Sequence, residues 1–147
     1  MERIKTGKIA DMRNKKFRFF KHTADVKFRA YGKTLEEAFE NAGLAMFNAM
    51  YKGKVEKKTK RRIQVEGKDK ESLLYNFLEE LLFLLDTESF FLASCKAEIK
   101  DNSLEAELYG DNAKRYPVEI DVKAVTYNEM FIKQEKGVWV VQVVVDV

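Results

Sequence analysis

The chain contains one cysteine, one histidine and one proline in 147 residues. The single cysteine, Cys95, excludes an internal disulfide framework and is ordinary for a cytosolic protein. One cysteine with one histidine also excludes the usual structural zinc site, which needs four N or S ligands. Cys95 lies inside the apolar run Phe90 to Ala97, which marks it as a core thiol rather than a nucleophile. No apolar run approaches the ~20 residues of a membrane span. The basic, polar stretch Met1 to Lys16 lacks the apolar segment of a signal peptide, so a cytoplasmic location is expected. There is no glycine-rich phosphate loop, no GxGxxG and no nucleophile elbow, which argues against an autonomous nucleotide-using enzyme. With 27 basic and 24 acidic residues the net charge is only +3. The two signs are interspersed, a weak signal for a nucleic-acid partner.

What is present is globular: 46% apolar and 35% charged residues, enough for one domain with a proper core. Residues 1–16 carry six basic and two acidic side chains without periodicity and read as a basic, partly flexible extension. The domain proper is 17–147. Phe17 to Lys21 and Val26 to Tyr31 are short β-prone runs. Thr34 and Glu37 have capping-box spacing, and Leu35, Ala38, Phe39, Ala42, Ala45, Met46, Ala49 and Met50 follow at helical spacing, predicting a helix that ends near Tyr51. A strand is expected at about Arg62 to Glu66. Asp69 is a good N-cap for a second helix with the stripe Leu73, Leu74, Phe77, Leu78, Leu81, Leu82 and Leu85, stopping near Asp86-Thr87. Phe90 to Lys100 with Ser103 to Tyr109, and Val122 to Gln134 with Val138 to Asp146, read as two hairpins. The expected fold class is α+β, a two-layer sandwich in which two amphipathic helices cover one face of a mostly antiparallel mixed sheet.

The most informative chemistry is at the end of the last strand. Asp146 is followed only by Val147, so the aspartate side chain and the α-carboxylate of Val147 fall within one residue of each other at the exit of an apolar run. Two carboxylates ~4 Å apart repel by roughly 4 kcal/mol at an effective dielectric of ~20, so either a cation lies between them or both face water. Asp25, in the segment His22-Thr23-Ala24-Asp25, is a third acid. Three hard oxygen donors of this kind suit Ca²⁺ or Mg²⁺ rather than zinc. Taken singly, a loop aspartate usually caps a turn and a terminal aspartate is usually solvated, and spacing alone does not bring Asp25 to the chain end. His22 reads either as a group that orders its loop or as a general base. The run Lys52 to Arg62 holds seven basic residues and reads as a solvated loop or as a contact for RNA phosphates or an acidic protein. Lys123, within a strand-like run, reads as an edge charge or a partner contact.

In order along the chain, HTADV (His22 to Val26), AYGKTLEEAFENA (Ala30 to Ala42), LLYNFLEELLFLLD (Leu73 to Asp86), VKAVTY (Val122 to Tyr127) and VVVDV (Val143 to Val147) resemble the archease family over Phe17 to Val147. The resemblance implies a small α+β protein that is not itself an enzyme. It implies an activator of the RtcB-type tRNA-splicing RNA ligase, promoting guanylylation and turnover of that ligase and widening its nucleotide choice. RNA would then be met only indirectly or weakly. It further implies a divalent ion held by Asp25, Asp146 and the Val147 carboxylate, with His22, Thr23, Lys123 and Thr126 as partner-contacting or site-ordering residues. Two other classes stay open: a chaperone-like modulator of another protein, such as a tRNA cytosine methyltransferase, and a metal-dependent hydrolase using His22 as base. The chain departs from the family pattern at Lys27, where glycine is usual, at Asn128, where histidine is frequent, and in Gly110 to Asp121, which lacks a histidine.

Overall fold

A computed structural model describes residues 15–20 and 25–147. Residues 1–14 of the basic extension, and the expected site residues His22 and Thr23, lie outside the described residues. The elements run β1 (Phe17–Phe20), β2 (Asp25–Gly32), α1 (Leu35–Met50), β3 (Thr59–Glu66), α2 (Lys70–Glu88), β4 (Phe90–Lys100), β5 (Ser103–Asn112), a short 3-10 turn (Ala113–Arg115), β6 (Ala124–Glu135) and β7 (Val138–Asp146). The α+β sandwich expected from the sequence is what forms. Its strands divide between a four-stranded sheet, ordered β1-β2-β7-β6, and a three-stranded sheet, ordered β3-β5-β4. Every neighbouring pair among the described strands is antiparallel.

Local chemistry accounts for the element ends. Thr34 caps α1 by accepting from Glu37 N at 3.1 Å. The Glu37 carboxylate reaches back to Lys33 N at 3.1 Å, one residue earlier than the reciprocal bond of a capping box. Asp69 caps α2 through Ser72 N at 2.8 Å, and the Ser72 hydroxyl accepts from Asp69 N, closing the box. The β6–β7 hairpin turns at Lys136 and Gly137, both with positive φ, the two-residue geometry whose twist matches the strands it joins.

One continuous core joins the layers. Phe39, Ala42 and Met46 of α1 and Leu74, Phe77, Leu78 and Leu81 of α2 pack with Phe28, Val141, Val143 and Val145 of the larger sheet and Ile63, Leu104, Ala106 and Leu108 of the smaller. The helices also cover open sheet edges. Glu40 and Glu36 accept from the edge amides of Ala97 (2.7 Å) and Ile99 (3.4 Å) on β4, and Glu79 accepts from Val125 N (3.1 Å) on β6. Carboxylates so placed occupy donors that would otherwise invite a further strand. Cys95 is the inert thiol expected, with burial and then the Glu40 charge pushing its pKa up to about 12.

The segment between α1 and β3 has no regular structure, yet its backbone is tied down. Lys58 N donates to Gly110 O at 2.9 Å. Glu56 N donates to the Tyr116 hydroxyl at 3.0 Å, and that hydroxyl donates to Asp111 Oδ2 at 2.7 Å. Asp111 is only 4% exposed. The Tyr116 hydroxyl, helped by Asn112 N and nearby cations, holds its carboxyl below the usual carboxylate range. A depressed carboxylate contributes stability that is present above its unfolded pKa and lost as pH falls through its folded pKa. Tyr116→Phe should therefore lower stability. In urea melts the gap from wild type should be full above about pH 4, the ordinary aspartate value, and should shrink in more acidic buffer. A gap that stayed constant across this range would remove Asp111 from the account.

Candidate functional site

The site is built on the pairing of β2 with β7. The register places Asp25 directly opposite Asp146, followed by Val26 with Val145, Lys27 with Val144, Phe28 with Val143 and Arg29 with Gln142. Directly opposed residues of an antiparallel pair project to one face with Cβ atoms about 4.5–5.5 Å apart. Alternation therefore divides the two strands. Phe28, Val143 and Val145 enter the helix-side core, while Asp25, Lys27, Arg29, Gln142, Val144 and Asp146 share the opposite face. The sequence places Asp25 in a loop-like segment; here it is the first residue of β2. Its Oδ1 is buried, whereas Asp146 is exposed.

β6 closes the other side of Asp146. Ala124 is its register partner there, and Lys123 N donates to Asp146 O at 2.8 Å, extending the ladder to the strand end. The Lys123 side chain is exposed, so its ordering contribution runs through the backbone. Thr126 Oγ1 donates to Val144 O at 2.9 Å and accepts from Asn128 N at 3.3 Å. Just beyond it the β6–β7 register shifts between Thr126 and Phe131, and Glu129 takes a positive φ of 55°. The structure thus brings Asp25, Asp146, Lys123 and Thr126 to one end of the larger sheet, with exposed Val147 one residue further on.

The shifted segment of β6 carries groups that sequence reasoning passed over. Glu129 forms an ion pair with Lys27 at 3.5 Å, and its carbonyl accepts from Gln142 Nε2 at 2.7 Å. Gln142 Oε1 in turn accepts from Arg29 Nε at 2.9 Å, and the Arg29 guanidinium lies between the rings of Phe20 (4.7 Å) and Phe131 (5.5 Å). Arg29 is 1% exposed and Gln142 is fully buried. The period-two alternation Asp25, Lys27, Arg29 was the available signal for this face. The irregular stretch of β6 that completes it has no such signature. Beside Asp25 lies a shallow cavity of about 260 Å³, lined by Phe19, Phe20, Val26, Ala49, Lys52 and Ile120.

The donor chemistry fits a hard divalent cation. Asp25 and Asp146 are register partners at the end of a ladder, a placement in which like charges disfavour each other. Among the described residues, side chains alone supply this pair and no cluster of three metal-ligating groups. A complete site needs donors beyond these two side chains.

This small antiparallel sandwich, with its acidic pair at one sheet end, matches known proteins over nearly its whole length. The model for the Archease protein family (MTH1598/TM1083) covers residues 17–147. An archease of Pyrococcus abyssi is 44% identical over 142 residues, spanning 90% of this chain and 99% of that protein. One of Methanosarcina mazei is 40% identical, spanning 90% of this chain and 97% of its own length. The solution structure of Methanobacterium thermoautotrophicum protein 1598 superposes with a TM-score of 0.75 at 39% identity, covering 90% of this chain and 99% of that one. A Thermotoga maritima crystal structure, described as an archease and possible chaperone, superposes with a TM-score of 0.60 at 14% identity, a likeness of fold alone. The chain belongs to the archease family. No helix among its described residues is long and apolar enough to cross a membrane.

The opposed acids make a prediction that needs no ligand. Asp146→Asn keeps the shape and removes one of two facing charges, so in excess chelator it should melt slightly above wild type. The gain should shrink as salt is added, because exposed charges are screened. A variant that melts below wild type in chelator would show that the two carboxylates do not repel across β2 and β7.

Proposed function

We propose that this protein activates an RtcB-type tRNA-splicing RNA ligase, and that it does so with a divalent cation held at the β2–β7 end. The observation that supports this reading is the register pairing of Asp25 with Asp146. The pairing gives this chain the two side-chain donors that the archease resemblance implies, on one face and at one edge of the sheet. Ca²⁺ is the first expectation from an all-oxygen donor set, with Mg²⁺ and Mn²⁺ as the alternatives. Where Val147 is the last residue of the protein, its α-carboxylate supplies the third charged donor.

When bound, such an ion supplies positive charge that stabilises a transferring phosphoryl group and orients its oxygens. The protein's own residues do the positioning. Asp25 and Asp146 stand on two paired strands, so the ladder fixes their backbone positions relative to each other. Lys123 N fixes the backbone of Asp146, and Thr126 ties β6 to Val144 next to it. The exposed side of the site, with Lys123, Asp146 and Val147, is where a partner would reach it, and His22 and Thr23 are assigned to ordering or contacting that partner. The reading makes the protein a non-enzymatic, cytoplasmic cofactor of an RNA ligase, meeting RNA itself only indirectly or weakly.

Calorimetric titration with Ca²⁺ or Mn²⁺ should show a site that is lost in Asp25→Ala and in Asp146→Ala. A ligand at one hundred times its Kd should raise stability by about 2.7 kcal/mol, and neither variant should gain this. A glycine added after Val147 exchanges a charged oxygen donor for an amide carbonyl and moves the charge ~3.5 Å onward. It should weaken the ion without changing the fold. The functional test is guanylylation of a purified RtcB-type ligase. Wild-type protein should accelerate it, and folded Asp25→Ala should not. Full stimulation by Asp25→Ala would reduce the acids to a structural role. No stimulation by wild type, together with suppressed aggregation of a tRNA methyltransferase, would establish the chaperone-like role instead.

A further inference from the structure

A second charged feature is not used by that function. Between α1 and β3 the chain carries Lys52, Lys54, Lys57 and Lys58 against a single acid, Glu56. A run of this kind is ordinarily a solvated loop, but here the backbone is pinned. Lys58 N is held by Gly110 O and Glu56 N by the Tyr116 hydroxyl. Gly53 passes so close over Tyr51 that a Cβ there would meet the Tyr51 hydroxyl at 2.5 Å. The loop therefore displays its lysines on a fixed frame. It forms one wall of a groove of about 400 Å³ whose floor includes Phe47 and Tyr51 and whose far walls are the start of β1, with Lys16 and Phe17, and β4 around Ser94.

The charge on this groove has one sign. Lys16, Lys54 and Lys57 line it, no acidic residue does, and none of the three forms an ion pair with a described residue. The neighbouring arginines are already engaged, Arg61 with Glu88 at 2.6 Å and Arg62 with Glu105 and Glu107 at 3.5 Å each. The cations that line the groove are all lysines. Lysine binds phosphate as a point charge, without the fixed geometry of the arginine fork. The partly exposed rings of Phe17 and Tyr51 add surfaces against which a base can stack, as in grooves that follow single strands.

We propose that this groove binds a single RNA strand through its phosphodiester backbone, with Lys16, Lys54 and Lys57 as the phosphate contacts. The choice of RNA over other polyanions rests on the proposed function; the groove itself is independent of the Asp25–Asp146 site. Contacts of this kind follow the backbone and carry no sequence preference.

The test is fluorescence anisotropy of a labelled 12-nucleotide oligouridine with the full chain and no ligase, so its outcome is separate from that of the activation assay. Three lysine–phosphate contacts predict that log K falls with log salt at a slope of about −2, from roughly 0.7 per contact on single strands. Lys54→Ala combined with Lys57→Ala should weaken binding and flatten that slope by about 1.4. Lys33→Ala combined with Lys100→Ala makes the same change of net charge away from the groove and should leave both unchanged. Tyr116→Phe, which keeps every charge but frees Glu56 N, should weaken binding with the slope retained. Absence of saturable binding at low salt, or an equal loss in both double variants, would overturn the proposal. So would displacement of the RNA by polyglutamate as readily as by unlabelled RNA, which would assign the groove to an acidic protein segment.

Discussion

The pairing of β2 with β7 is the constraint on which the rest depends. These are the two central strands of the larger sheet, and both faces of their ladder are occupied. Phe28, Val141, Val143 and Val145 fill the helix-side core. On the opposite face the buried Arg29–Gln142 hydrogen bond and the fully packed Val140 and Val144 do the same. A slip of one residue would exchange these faces, putting valines where a buried guanidinium is satisfied and a guanidinium into an apolar core. The cost on both faces fixes the register, and the register sets Asp25 opposite Asp146. The acidic pair is thus tolerated because the remainder of the ladder strongly prefers this alignment.

The protein's modest net charge conceals a division of labour. Carboxylates at Glu36, Glu40 and Glu79 face inward onto strand edges and hold the helices to the sheets. Glu88, Glu105 and Glu107 take up arginines on the smaller sheet. Apart from these pairings stand the Asp25–Asp146 register pair at one end of the larger sheet and a lysine-bearing loop after α1. Lys52 connects the two regions. It lines the small cavity beside Asp25 and places its ammonium 5.2 Å from the centre of the Phe19 ring.

Much of this was legible from the residues. Period-3.6 spacing located both helices, and Thr34 and Asp69 marked their starts, because capping chemistry is local. The last hairpin was legible because Lys136-Gly137 supplies the backbone that a two-residue turn requires. The division into two sheets was not, since alternation shows which face of a strand is buried but not which strand lies beside it. Strands β3 and β5 extended beyond their apolar cores for the same reason: Thr59 to Arg61 and Gly110 to Asn112 are held by ladder bonds and carry no apolar alternation. At the site, Asp146 could be picked out from an apolar run that ends in acid. The neighbourhood of Asp25 needed the antiparallel register, and the Lys27–Glu129 pair needed the irregular stretch of β6, which no local pattern announces. The basic loop was visible as composition, while its fixation by Tyr116, 60 residues away from Glu56, was not.

The central claim is that the end of the β2–β7 ladder is a cation site. Paramagnetic broadening by substoichiometric Mn²⁺ in the amide NMR spectrum tests it most directly. The account predicts that the amides of Val26, Lys123, Val145, Asp146 and Val147 broaden first, and that Asp146→Asn abolishes the effect. Broadening that begins instead at the acidic β4–β5 hairpin, around Glu98 and Glu105, or that is uniform over the surface, would contradict it.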